Sequence, residues 1–145
     1  MVHPGLVAGL LPWLIARTNW QRIEADPFQP AVYSGLPIFL SGLAILGLSI
    51  IRFGKDGKGT LSPADPTKVL VTGGLYKYTR NPMYIGVLLM LAGESIITGS
   101  IPLWIYTTLV AILFHLFIIF HEEPRNHRDF GTEYAQYRTK VRRWL

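Results

Sequence analysis

Two adjacent carboxylates, Glu122-Glu123, and one arginine, Arg80, are the residues of this chain best suited to chemistry. The glutamates close a long apolar run and are followed by Pro124. Neighbouring carboxylates repel each other, and the macrodipole opposes negative charge at a helix C-terminus. They therefore call for a cation, supplied by Arg80, by Arg125 or by a bound ligand. Arg80 stands in the run Gly74-Leu75-Tyr76-Lys77-Tyr78-Thr79-Arg80-Asn81-Pro82-Met83-Tyr84-Ile85-Gly86, just before a second apolar stretch. A guanidinium fork can grip a carboxylate or phosphate at two points. Taken singly, the glutamates also read as a polar helix end, Arg80 as a membrane-surface anchor, and Tyr76, Tyr78 and Tyr84 as interfacial belt residues. Together they describe a site for a small charged molecule where hydrocarbon meets cytosol, with the Tyr84 ring as one wall.

Two further ionisable residues lie inside apolar stretches, where a charge is costly. Glu94 is ~18 Å beyond Pro82 at helical rise, so its carboxylate is expected to snorkel towards the outer surface. His115 lies ~9 Å before His121 and shares a helical face with Glu122. It suits either a helix-to-helix hydrogen bond or a place in the site's lining. The two differ in depth, so they are not expected to pair.

The elements that position these groups follow from composition. Of 145 residues, 50% are hydrophobic and only 16% charged, against about a quarter charged in an ordinary soluble domain. Four apolar segments stand out, at residues 5–16, 31–51, 82–98 and 101–121. The first is short for a span, which needs ~20 residues. It follows no basic leader region and precedes no small-residue cleavage pattern, so it reads as a retained membrane segment. In the second, Gly35, Gly42 and Ser49 repeat on one face, as close helix packing requires. Pro82 is a favoured first-turn residue for the third, and Gly99-Ser100 allows only a tight hairpin to the fourth. The expected fold is an all-α polytopic membrane bundle of about four transmembrane helices plus a C-terminal interfacial amphipathic helix.

Lysine and arginine set the orientation. Residues 17–30 hold two of them, residues 52–80 six, and residues 125–145 six. The positive-inside rule then puts both rich segments, and with four crossings both termini, in the cytoplasm. The net charge of +5 is better matched to anionic head groups than to nucleic acid, because the basic residues border apolar helices. No cysteine is present, which removes disulfides, thiolate nucleophiles and thiolate metal sites. Neither nucleic acid nor a metal is expected as a partner.

The loop at residues 53–68 is rich in glycine and proline and reads as irregular. Phe130, Tyr134, Tyr137, Val141 and Trp144 recur at spacings of four, three, four and three, predicting one apolar-aromatic face of a helix through Trp144. Arg138, Lys140, Arg142 and Arg143 fall on its other faces, as in a helix lying in the membrane interface. The chain then reads as a single membrane domain: N-terminal helices over 1–52, a cytoplasmic loop over 53–69, and a core with its tail over 70–145.

The run Leu70-Val71-Thr72-Gly73-Gly74-Leu75-Tyr76, then Arg80-Asn81-Pro82-Met83-Tyr84-Ile85-Gly86, resembles the isoprenylcysteine carboxyl methyltransferase and phospholipid methyltransferase family. Glu122-Glu123-Pro124, Phe130-Gly131, Tyr134, Tyr137, Val141 and Arg143-Trp144 continue the match in order, over about half the chain. The resemblance implies S-adenosyl-L-methionine as cofactor and a lipid-like or prenylated acceptor, carboxylate or amine. It implies Arg80 and Glu123 as catalytic residues, and Tyr76, Asn81, Pro82, Tyr84, Gly86, Glu122 and Glu123 as the cofactor's contacts. The family usually has histidine where Asn81 stands; asparagine keeps a hydrogen-bonding function but takes up no proton near neutral pH. Transfer from a sulfonium is a single displacement needing positioning and electrostatics rather than a covalent intermediate, so a chain without cysteine can perform it. Membrane sterol reductases, which use NADPH, are similar in this half. A non-enzymatic membrane protein with structural anchors is the third reading.

Overall fold

The computed structural model describes residues 6–17, 30–57 and 69–145. Among them it is all-helical. Helix α1 (Leu6–Arg17) opens with a wide π turn. Helix α2 (Pro30–Asp56) has 27 residues, ~40 Å at helical rise. A single 3-10 turn, Gly74–Lys77, precedes α3 (Pro82–Thr98). Helix α4 (Ile101–Phe117) passes through a π turn at Ile118–Glu122 into α5 (Glu123–Lys140). Two helices are long and apolar enough to cross a membrane, Pro30–Asp56 and the continuous Ile101–Lys140; Leu6–Arg17 and Pro82–Thr98 are apolar but shorter.

Three expectations are corrected. The region after the second apolar segment does not begin at residue 53, because α2 continues to Asp56, helped by an ion pair one turn apart between Arg52 Nε and Asp56 Oδ2 at 2.6 Å. The remainder of that loop, 58–68, lies outside the described residues. The glutamates do not end the fourth helix: a π turn carries it on into α5, whose first turn holds Pro124. The aromatic stripe, finally, is not helical to Trp144. Helix α5 stops at Lys140, Val141 is extended (φ −123°, ψ 130°), and Gly131, at φ 50°, breaks the helical path within it. A three–four spacing continued into an extended segment kept a helical look without a helix.

The residues gather into two compact groups. One contains Val2–Ala44 and Gly86–Ile112. Within it, the N-terminal part of α2 runs against α3 with almost no side chain between them. A Cβ on Gly42 would stand 2.6 Å from the Gly86 carbonyl oxygen and 2.7 Å from the Met90 amide nitrogen. One on Gly93 would stand 2.6 Å from the Phe39 nitrogen, and one on Gly35 2.7 Å from the Gly93 carbonyl oxygen. Bare backbones can approach this closely because lipid supplies no hydrophobic force between helices, and contact must come from packing. Ser95 and Thr107 hydroxyls, 3.1 Å apart, link α3 to α4, and the Tyr106 hydroxyl donates to the Val7 carbonyl at 3.0 Å. Glu94 is partly buried, and its Oε2 is buried without a hydrogen-bond partner.

The other group contains Ile45–Ile85 and Leu113–Leu145. Its small core is Tyr134, Tyr137 and Val141, with Leu70 and Phe130 packed on it. The Tyr137 hydroxyl donates to the Tyr76 carbonyl at 2.6 Å, tying α5 to the 3-10 turn. Arg52 lies over Gly73, where a Cβ would meet its Nη2 at 2.5 Å.

Gly42→Ala should cost about 1–3 kcal/mol, because the new methyl meets backbone that cannot rotate away. Gly47→Ala in the same helix has nothing within 4 Å of the new Cβ; it should be neutral or gain up to ~1 kcal/mol from helix propensity. Thermal unfolding in detergent followed by circular dichroism reads both.

Candidate functional site

All of the site's polar contacts fall inside the group formed by Ile45–Ile85 and Leu113–Leu145. Arg80 follows the 3-10 turn, and Pro82 starts α3 two residues later, so the arginine enters at the mouth of that helix. The π turn before α5 accommodates an extra residue, which turns the Glu122-Glu123 pair relative to the face set by α4. Residues 142–143 run beside residues 79–81. The Arg80 amide donates to the Arg142 carbonyl at 2.9 Å, and Thr79 Oγ1 and Asn81 Nδ2 both donate to the Arg143 carbonyl, at 3.1 and 2.9 Å.

That backbone clasp brings three charges together. Arg80 Nη1 donates to Glu123 Oε1 at 3.0 Å and to the Tyr134 hydroxyl at 3.2 Å. From another direction, Arg143 places Nε on Oε1 at 2.7 Å and Nη2 on Oε2 at 3.0 Å, a two-point grip. The Arg80 and Glu123 side chains are each only 10% exposed and Arg143 is 29% exposed, so the carboxylate is held away from water and its charge must be met locally. Both oxygens of Glu123 are occupied. Arg80, by contrast, keeps its Nε buried with no hydrogen-bond partner. A guanidinium N–H so placed is costly unless something accepts from it.

Glu122 is set differently. Its Oε1 accepts from the Tyr84 hydroxyl at 2.5 Å, and the Tyr84 ring lies against Phe114 with centroids 4.6 Å apart. Among the described residues, no arginine, lysine or histidine forms an ion pair with it. Both glutamates lie past the apolar stretch of their helix, and their acidities diverge. For Glu122, burial raises the carboxyl above its ordinary value, more than the Tyr84 hydrogen bond and the charges of Arg125 and His121 lower it. For Glu123, burial also pushes upward but is outweighed by the Arg143 hydrogen bond and the Arg80, Arg143 and Arg138 charges, so the carboxyl sits below its usual range.

The other expected site residues are placed as follows. Asn81 is buried, its side-chain amide spent on the Arg143 carbonyl. Pro82 is fully buried at the head of α3. Tyr76 is buried, its ring 6.5 Å from that of Phe53. Gly86 belongs to the other group of residues, where its carbonyl faces Gly42. Of the cations considered for the acidic pair, Arg80 makes the contact and Arg125 instead pairs with Asp129 at 3.5 Å. His115 meets neither glutamate: its Nδ1 accepts from Trp144 Nε1 at 3.1 Å. Sequence reasoning missed Arg143 and the Tyr134 hydroxyl as parts of the cluster. The one available signal was the fixed place of Arg143-Trp144 in the family resemblance. Among the described residues no group of three or more His, Cys, Asp or Glu could hold a metal ion.

Against known proteins, the family described as "Phospholipid methyltransferase" matches residues 30–133. An uncharacterized protein of Haemophilus influenzae is 35% identical over 63 residues, 43% of this chain and the whole of that one. The "Protein-S-isoprenylcysteine O-methyltransferase" of Schizosaccharomyces pombe is 36% identical over 73 residues. That alignment covers 50% of this chain and 31% of the yeast protein, so the chain spans about a third of that relative's length. No solved structure matches. The chain belongs to the phospholipid methyltransferase family.

The two neighbouring glutamates should respond oppositely to loss of charge. Glu123→Gln strands two guanidiniums and should destabilise by about 3–5 kcal/mol at neutral pH. Because its folded-state carboxyl is lowered, that contribution exists above the unfolded value and is lost as pH falls through the folded one, so variant and wild type should converge in acid. Glu122→Gln keeps the acceptor for Tyr84 and removes a buried charge that nearby cations only partly offset; it should raise the unfolding midpoint at neutral pH. Its raised folded-state carboxyl favours the fold at low pH and loses that benefit as pH rises through the folded value. Unfolding midpoints of both variants across pH measure this.

Proposed function

We propose that this member of the phospholipid methyltransferase family is an S-adenosyl-L-methionine-dependent methyltransferase acting at the cytoplasmic membrane surface. Its acceptor is a lipid-like or prenylated molecule bearing a carboxylate or an amine. The observation that carries the reading is the pairing of opposite needs on neighbouring groups. Arg80 has a buried donor without an acceptor, and Glu122 has no ion-pair partner among the described residues. The amino-acid end of the cofactor, with one ammonium and one carboxylate, fits that donor set.

In this reading Arg80 takes the cofactor's carboxylate and Glu122 its ammonium or a ribose hydroxyl. Glu123 fixes the Arg80 guanidinium. Asn81 braces the segment opposite; Pro82 and Gly86 set the start and packing of α3. Tyr76, Tyr84 and Phe114 offer aromatic faces for the adenine or for positive charge on sulfur. When bound, the cofactor supplies a methyl group on a sulfonium. The chain orients the donor, excludes water from the charged end and leaves the reacting carbon at head-group level, where an acceptor can arrive from the lipid.

The surrounding architecture belongs to the same proposal. Helices α1 to α4 make four crossings of one membrane domain, 1–145, with both termini cytoplasmic and α5 in the interface. The clustering of lysine and arginine at residues 52–80 and 125–145 supports that orientation.

Calorimetry on detergent-solubilised protein tests the reading. S-adenosylhomocysteine should bind in the micromolar range and Glu122→Gln should weaken it by about tenfold or more, the loss of one charged contact. Binding of NADPH instead would move the protein to the reductases, and binding of neither would leave a structural membrane protein.

A further inference from the structure

The ion cluster holds more positive charge than its own carboxylate requires. Two guanidiniums, Arg80 and Arg143, face one carboxylate, Glu123. Arg80 and Glu123 alone would make a neutral buried pair, with no reason to draw in a second anion. With Arg143 added the cluster is net positive, and the surplus sits in a poorly hydrated place, where charge acts strongly. The division of contacts is uneven: Arg143 occupies both oxygens of Glu123, whereas Arg80 reaches one of them through Nη1 only. Its Nε is left buried and without a partner.

We propose that Arg143 is a positioning residue: by gripping Glu123 at two points it leaves Arg80 a positive charge and an open Nε for the carboxylate of the bound methyl donor. This rests on the donor reading above. Arg143 acts through Glu123 and Arg80 and needs no contact with the ligand itself. The chain delivers it with its backbone rather than with a helix. The Arg143 carbonyl takes hydrogen bonds from Thr79 and Asn81, and the Arg142 carbonyl takes one from the Arg80 amide. The arginine that needs relief and the arginine that provides it are thus fixed to each other through three main-chain acceptor contacts. Here Asn81, one residue from Arg80, works as a strut. The carboxylate belongs to the donor because Glu122, next in the chain to Glu123, has no ion pair among the described residues. A group carrying both charges satisfies Arg80 and Glu122 together.

The test compares two ligands by calorimetry on the full chain: S-adenosylhomocysteine, which carries the amino-acid end, and 5′-methylthioadenosine, which lacks it. Arg143→Gln should weaken S-adenosylhomocysteine about tenfold, a charge-assisted contact's worth, while 5′-methylthioadenosine stays within about twofold. Arg143→Lys, which restores charge with a single-point grip, should recover most of the loss. Circular dichroism melting establishes that each variant is folded. If Arg143→Gln does not fold, the ratio of the two affinities is read in Arg143→Lys, where it should fall by a few-fold; an unchanged ratio overturns the proposal. Equal weakening of both ligands, or no weakening of either, overturns it too. A wild-type protein that binds neither ligand removes the donor reading, and this inference falls with it.

Discussion

A carboxylate taken out of water must find its counter-charge within hydrogen-bonding reach, and Glu123 is where that requirement shapes this molecule. Ionised groups are tolerated in a poorly hydrated place only when geometry is close and the remaining lone pairs are used. Meeting that condition takes an arginine from the start of α3, a second from the segment after α5, and a tyrosine from α5 to share the first arginine's nitrogen. Parts of the chain separated by 43 and 20 residues are drawn to one point. The extended backbone at Val141 and the hydrogen bonds between residues 142–143 and residues 79–81 bring Arg143 there.

The acidic pair shows how one helix gives neighbouring residues opposite environments. Successive positions on a helix point in directions ~100° apart. Glu123 turns into the arginines, and Glu122 turns towards Tyr84. One is over-supplied with positive charge and the other under-supplied.

Elsewhere the constraint is steric. Helices that cannot gain from excluding water must gain from contact, and Gly35, Gly42 and Gly93 let α2 and α3 meet backbone to backbone. The seven-residue repeat of small residues was readable in the sequence. The partner face on α3, with Gly86 and Gly93 also seven residues apart, was identified as a partner only by the structure, because a repeat on one helix does not say which other helix it meets.

Much of the fold was legible. The start of α3 at Pro82 and its end at Thr98 follow from a proline and a Gly99-Ser100 break, which are local signals. The meeting of Arg80 with Glu123 could be expected because unlike charges at one membrane depth seek each other. The misreadings share a cause. Tyr134, Tyr137 and Val141 do form one buried cluster, as the stripe implied, but the same spacing extended to Trp144 concealed a helix ending at Lys140. Periodicity reports which residues are buried and is silent on whether the backbone between them is helical or extended.

Composition and local spacing therefore determined, unaided, that the chain is helical and rich in membrane-competent segments, and which residue types gather at the ends of those segments. Those properties depend on hydration and on hydrogen bonds between near neighbours. Tertiary structure alone decided which arginine serves which glutamate, that the Asn81 amide donates to the Arg143 carbonyl, and that His115 answers to Trp144. Such choices depend on distances between residues dozens of positions apart, and electrostatic and hydrogen-bond energies fall off too steeply with distance for any one-dimensional pattern to encode them.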